Sequence, residues 1–128
     1  MEFTHYELYD LINRPGPLWL PGADLKNANL RMADLRGANF KYTDLRMANL
    51  SAADLSGANL SGARLGGTNL TKASLGGVDL SNASLGMADL TGTNLEKVKL
   101  TGAKYSKYTK WPDGFNPVAA GALLEKSW

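Results

Sequence analysis

The sequence has no cysteine and one histidine, His5. Disulfide staples and thiolate metal sites are therefore excluded, and a single imidazole cannot build a histidine-based metal centre. No apolar run approaches the ~18 residues that a membrane-spanning helix requires. The opening segment "MEFTHYELYD" carries Glu2, Glu7 and Asp10 and lacks the apolar stretch of a secretory leader. Neither sign of charge dominates: 14 basic residues face 12 acidic ones, for a net charge of +2. That balance suits neither a nucleic-acid-binding surface nor an acidic one. The chain reads as a soluble, cytoplasmic protein of 128 residues, long enough for one domain with a real core.

What the sequence does have is a period of five. Apolar centres fall at Leu25, Leu30, Leu35, Phe40, Leu45 and every fifth residue thereafter to Tyr105. Two places before each centre stands a small residue, mostly Ala or Thr. An α-helix would smear such a period over all its faces, and a plain strand would alternate by two without end. Here alternation holds for three residues, small-in, polar-out and Leu-in, and a corner of two residues follows. The second corner residue is Gly or Asn at Asn27, Gly37, Gly57, Gly62, Gly67, Gly77, Asn82, Gly92 and Gly102, which suits the positive φ of a type II turn.

These repeats resemble the pentapeptide repeat family, whose motif reads A(D/N)Lxx, over residues 21–105. The resemblance implies an all-β solenoid, a right-handed quadrilateral β-helix with four repeats per coil and about four coils. The sequence itself separates four faces from three. From Asp24 to Asn59 the residue before each centre alternates Asp and Asn. Coils of twenty residues stack Asp24 under Asp44 and Asn29 under Asn49, whereas coils of fifteen would set Asp on Asn throughout. The column Gly37, Gly57, Gly77 has the same step and is expected to form type II turns. The column Met32, Ala52, Lys72 is expected to turn differently, since a side chain disfavours positive φ.

Both ends call for caps over the apolar column. Residues 1–20 read as an N-terminal cap: Thr4 and Glu7 form a capping box, Phe3 can staple onto Leu8, and a helix runs from about His5 to Asn13. Leu18 and Leu20 enter in register. Residues 21–107 form the repeat domain. Residues 108–128 read as a C-terminal cap, with Trp111 and Phe115 as a plug, Asn116 as N-cap, Pro117 in the first turn and a short helix over 118–126. This closing segment resembles that of cyanobacterial pentapeptide proteins.

Candidate sites are few. A shaft filled by Leu, Ala and Thr leaves no pocket, and the hydroxyls of Thr43, Thr68 and Thr93 are expected to bond to backbone. The carboxylates Asp24, Asp34, Asp44, Asp54, Asp79 and Asp89 lie on a convex surface, not in a cleft that would set paired pKa values apart. The Gly-rich run "LSGARLGGTNLTKASLGG" lacks GxxxxGK[ST] and opens no helix. The N-x-[ST] sequons at Asn49, Asn59, Asn69 and Asn82 follow from repeat composition. Lys26, Arg31, Arg36, Lys41 and Arg46 occupy successive first corner positions and form a solvated collar, not one aligned face. Met32, Tyr42, Met47 and Met87 occupy second corner positions, where exposed side chains could meet a partner.

The reading is a non-catalytic scaffold or protein-interaction module with no cofactor and no metal. It has an unidentified protein partner, touches neither nucleic acid nor membrane, and is a monomer or weak dimer. The alternative is a DNA mimic acting on topoisomerase, as the resistance members of the resembled family imply. The net positive charge and the basic collar count against it.

Overall fold

The computed structural model describes residues 4, 7, 8, 10, 13 and 16–126. Parallel bridges join residues twenty apart, from Trp19 with Asn39 and Asp24 with Asp44 through to Ser84 with Lys104. Twenty residues are four repeats, so each coil has four faces. Each face is a ladder of outward middle residues. Face 1 runs Asp24, Asp44, Arg64, Ser84, Lys104; face 2 runs Asn29, Asn49, Asn69, Asp89, Lys110. Face 3 runs Asp34, Asp54, Ser74, Asn94, and face 4 runs Trp19, Asn39, Asn59, Asp79, Lys99.

Backbone bonding explains the repeat residue by residue. The centre's N–H donates one coil onward, as Leu25 does to the Asp44 carbonyl at 2.8 Å. The middle residue's N–H donates one coil back, as Asp44 does to Ala23 at 2.9 Å. The small residue closes the corner, as Ala33 N–H does on the Leu30 carbonyl at 3.2 Å. The first corner N–H is left over, and a buried or half-buried orphan donor is costly. Asp or Asn at the middle position accepts it: Lys26 N–H donates to Asp24 Oδ1 (3.1 Å), Ser51 to Asn49 (3.0 Å) and Ser56 to Asp54 (3.0 Å). The motif's Asp/Asn is thus a structural acceptor.

Inside, every centre from Leu25 to Leu90 is at most 2 % exposed. Burial of each contributes about 1.5–3 kcal/mol. The inward threonines satisfy their hydroxyls on backbone, as expected: Thr43 on Leu20 O at 2.8 Å, Thr68 on Leu45 O at 2.7 Å and Thr93 on Leu90 O at 2.8 Å.

The corners do not sort by column. Met32, Ala52 and Lys72 have φ of 61°, 58° and 60°, beside 67°, 71° and 69° at Gly37, Gly57 and Gly77. All six share the closing i to i+3 bond and the type II sign pattern, so the expectation of a different turn at Met32, Ala52 and Lys72 is overturned. The physical reason is the ladder. Each second corner N–H must meet the next coil, as Met32 does at Ser51 O (2.9 Å) and Gly57 at Gly76 O (2.9 Å). A left-handed residue costs an L side chain about 1–2 kcal/mol, less than misaligning a stacked coil would.

At the N-terminal end the capping box is present: Thr4 N–H donates to Glu7 Oε1 at 3.0 Å and Glu7 N–H to Thr4 Oγ1 at 3.1 Å. Glu7, Leu8 and Asp10 are helical. The rest of the expected helix from His5 to Asn13, apart from Asn13 in a turn, and the Phe3 staple lie outside the described residues. Trp19 pairs with Asn39 while Leu18 and Leu20 pack on the core, in the register expected.

At the other end the repeat register runs past 107 with one residue inserted, for Asp89 pairs with Lys110. Ser106, Lys107 and Tyr108 make this longer corner. Trp111 then takes the place of a centre, set edge-on to Tyr105 at 5.5 Å and stacked on Phe115 at 5.3 Å. The helix expected over 118–126 is absent. Asn116 does cap, accepting Ala119 N–H at 3.1 Å, but the chain makes one turn and leaves it at Gly121 (φ 93°). Strand β2 (Leu123–Leu124) then pairs in parallel with strand β1 (Lys104–Tyr105). Extending the ladder over the last coil outweighs a short helix, which is marginal by itself.

Two predictions follow from the shaft and the corners. Leu55→Ala should cost about 2–5 kcal/mol in urea melts, while Ser56→Ala, beside it at a corner, should cost less than about 1 kcal/mol. Ala52→Gly should stabilise by roughly 0.5–1 kcal/mol, because relief of the left-handed strain exceeds the added freedom of the unfolded chain. A loss on Ala52→Gly would show that the corner is not strained.

Candidate interaction surface

With the Asp and Asn middle residues engaged in corner bonds and the centres buried, the second corner positions carry most of the exposed large apolar side chains of the coils, Trp19 on face 4 (75 % exposed) apart. Met32, Tyr42, Met47 and Met87 are 65 %, 65 %, 64 % and 56 % exposed. The structure does not gather the four. Met32 stands on the corner between faces 2 and 3, and Tyr42 diagonally opposite, between faces 4 and 1. Met47 and Met87 share the corner between faces 1 and 2, two coils apart. Gly67 lies between them, and a Cβ there would overlap the Met47 sulfur, so Met47 leans over the glycine of the next coil. Tyr42 lies over Gly62 in the same way.

That corner carries a residue that the sequence reading missed. Tyr108, 54 % exposed, sits one coil beyond Met87, where Met87 N–H donates to Ser106 Oγ at 3.2 Å. Met47, Met87 and Tyr108 therefore form one ridge of about 14 Å over three layers of ~4.8 Å. The insertion hid it, since a strict period of five makes Tyr108 an inward residue. The signal was the next small residue, which comes at Thr109 and not at 108. Thr109 Oγ1 donates to Leu85 O at 2.8 Å and so occupies the inward place.

Charge around the corners is uneven. Arg36 grips Asp34 with Nε and Nη2, both at 2.8 Å, and Arg46 grips Asp44 at 2.9 and 2.7 Å. Lys26 reaches Asp24 at 3.8 Å. The basic collar is thus partly neutralised by the carboxylates two residues before it. The Arg36 side chain holds the Asp34 carboxyl down at about 2. The Arg46 side chain likewise lowers Asp44. At Asp79 and Asp89 burial pushes upward, but bonds from Ser81 and Thr91, with Lys99 and Lys110 one coil away, bring the net shift below the usual range. The Thr4 backbone N–H lowers Glu7. Among the described residues, Arg64, Lys104 and Lys107 make no ion pair within 4.0 Å. Arg64 and Lys104 lie on face 1 beside the ridge, and the Lys107 ammonium sits 5.1 Å from the Tyr108 ring centre.

A depression lined by Gly76, Gly77, Glu96 and Lys97 is open to solvent. Among the described residues no three His, Cys, Asp or Glu side chains group as metal ligands, and no helix is long and apolar enough to cross a membrane.

The pentapeptide repeats family profile matches in eight copies, over residues 20–57, 48–86, 58–96 and 77–104. Among solved structures, a pentapeptide repeat protein (Rfr23) from the cyanobacterium Cyanothece 51142 is 43 % identical, with a TM-score of 0.74, over 77 % of this chain and 67 % of that one. A pentapeptide repeat protein from the Arabidopsis thaliana thylakoid lumen is 36 % identical, with a TM-score of 0.56, over 69 % of this chain and 65 % of that one. One from Nostoc Pcc 7120 is 32 % identical over 98 % of both chains, with a TM-score of 0.44. No curated protein matches.

The carboxylates generate a pH prediction. A lowered folded pKa means that the unfolded chain binds protons first, so stability rises with pH through that window. Stability should be constant near neutrality and fall from about pH 4 towards the folded value of about 2 at Asp34. Asp34→Asn keeps an acceptor for the Arg36 N–H and should flatten that fall. Thermal melts from pH 7 to pH 2 check it; an unchanged slope in the variant would mean that the pair adds nothing.

Proposed function

The chain belongs to the pentapeptide repeat family, and on that premise we propose that it is a non-catalytic β-helical scaffold that works by protein contact. One observation carries this reading. The fold uses its inward side chains for packing and its Asp and Asn side chains for corner bonds, and it leaves large apolar side chains standing at the corners. A filled shaft with a convex, ridged exterior suits recognition of another macromolecule, not enclosure of a small substrate. Affinity capture from a native lysate of the source organism, read by mass spectrometry, should return a reproducible protein partner. Co-purification of a metabolite alone would turn the reading towards an enzyme or carrier.

DNA mimicry is the second reading, and the ladders count against it. A mimic needs a line of negative charge spaced like phosphates, one per ~1.7 Å along the duplex axis. Face 1 passes from Asp24 and Asp44 to Arg64, Ser84 and Lys104; face 3 passes from Asp34 and Asp54 to Ser74 and Asn94. Faces 2 and 4 each carry one Asp followed by Lys. Such a rod is patchy, and part of its acid is already paired with Arg. The purified protein should neither inhibit nor protect DNA gyrase in a supercoiling assay. Dose-dependent inhibition that survives moderate salt would reverse this choice.

A further inference from the structure

We propose that the ridge of Met47, Met87 and Tyr108 is the docking edge, and that its occupant is an extended acidic peptide segment with apolar side chains. The inference rests on the protein-contact reading above and adds the place and the chemistry. Three observations support it. First, these are the three large exposed apolar side chains that the described coils put on one corner, while Met32 and Tyr42 stand on other corners. Second, Gly66 and Gly67 leave a gap in that corner, one coil from each methionine, into which Met47 leans. A partner's side chain meets thioether there, which is soft and adapts to varied shapes. Third, the face 1 side of the corner is cationic over its last three coils, while its face 2 side carries one acid, Asp89, already set against Lys110. Arg64 and Lys104 on face 1 and Lys107 within the corner make no described ion pair, whereas Arg36 and Arg46 are gripped by Asp.

Charge complementarity therefore selects an acidic partner, and the ridge's length selects a short one. About 14 Å along the axis accommodates roughly four or five extended residues at ~3.3 Å each. A strand laid along the ridge would set its outer two apolar residues, about 13 Å apart, against Met47 and Tyr108, and the middle one between Gly67 and Met87. The carboxylates between them would face Arg64, Lys104 and Lys107. Nucleic acid is the weaker match: three spaced cations neutralise few phosphates, and two methionines offer nothing to a sugar-phosphate backbone.

The test uses the full chain with methionine methyl groups followed by NMR, so that Met32 serves as an internal control. The probes are a peptide of alternating Glu and Leu, its Lys–Leu counterpart, a Glu–Gly peptide and oligothymidylate. The Glu–Leu peptide should shift the Met47 and Met87 methyls and leave Met32 in place. Lys104→Glu with Lys107→Glu should weaken it at least tenfold, an effect to be expected of close charge contacts. Met87→Ser with Tyr108→Ser should abolish the shifts; both replaced side chains are exposed, and a melt checks that each variant stays folded. Equal binding of the Lys–Leu peptide, an equal shift at Met32, tighter binding of oligothymidylate, or no binding would each overturn the proposal. If lysate capture still returns its partner with the Lys104→Glu, Lys107→Glu variant, the docking edge is wrong while the protein-contact reading stands. Loss of capture by the variant supports both.

Discussion

Every part of this molecule answers to the hydrogen-bonded ladder between coils. Centre, middle and second corner residues each donate to or accept from the coil twenty residues away, at distances near 2.8–3.0 Å, as in Leu55 to Ser74, Asp54 to Ala33 and Gly57 to Gly76. Three of every five N–H groups are committed to that step, and a fourth closes the corner. A coil cannot shift without breaking bonds on all four faces. The register therefore selects side chains at inward positions. It also imposes backbone geometry on corners whose side chains would not have chosen it.

The legible part of the fold is the part that the ladder leaves to side-chain chemistry. Leu at the centres, Ala or Thr beside them, and Asp stacked on Asp or Asn on Asn all report a step of twenty. The corners were not legible, because the ladder decides φ there and propensity is the weaker term: Met32, Tyr42, Met47 and Met87 all take φ between 60° and 63°. The C-terminal turn was misjudged for the same reason. Asn116 and Pro117 do begin a helical turn, but Leu123 N–H finds Ala103 O at 2.7 Å and Glu125 N–H finds Tyr105 O at 2.8 Å. Backbone partners on the last coil outcompete a helix that would have to cap itself. Tyr108 was missed because a one-residue insertion moves it from an inward place to a corner, and side-chain direction in such a coil depends on counting without error.

Charge follows the ladders too. Three of the four faces finish on lysine, Lys104, Lys110 and Lys99; the acid is at the start of face 1 and one coil before the lysine on faces 2 and 4. Where Asp and Lys are ladder neighbours, as at Asp79 with Lys99 and Asp89 with Lys110, the lysine helps to lower the carboxyl. Where Asp stacks on Asp, as on faces 1 and 3, an arginine two residues on from one of the pair answers the repulsion. The acidic residues are thereby consumed by the solenoid's own requirements. On face 1 the cations without an ion pair among the described residues, Arg64 and Lys104, lie in the later coils, while Arg31 and Lys41 stand without one in the first.

This division between engaged and unengaged side chains is what gives the surface a direction. A regular solenoid would present four equivalent corners, and a partner would have no reason to prefer one. Here the corner between faces 1 and 2 differs in three respects at once. It sets two exposed methionines on either side of a glycine, where the corner between faces 4 and 1 sets Tyr42 and Asn82 among glycines. It receives the inserted residue that turns Tyr108 outward. Beside it the cations change from paired to unpaired, from Arg46 in the corner itself to Arg64 on face 1. None of these features improves the ladder, since Met47 and Met87 hold a left-handed backbone that glycine would adopt without strain. Ala52 and Lys72 hold the same backbone on another corner, so the strain belongs to the ladder, and what sets this corner apart is the apolar surface that Met47, Met87 and Tyr108 display on it.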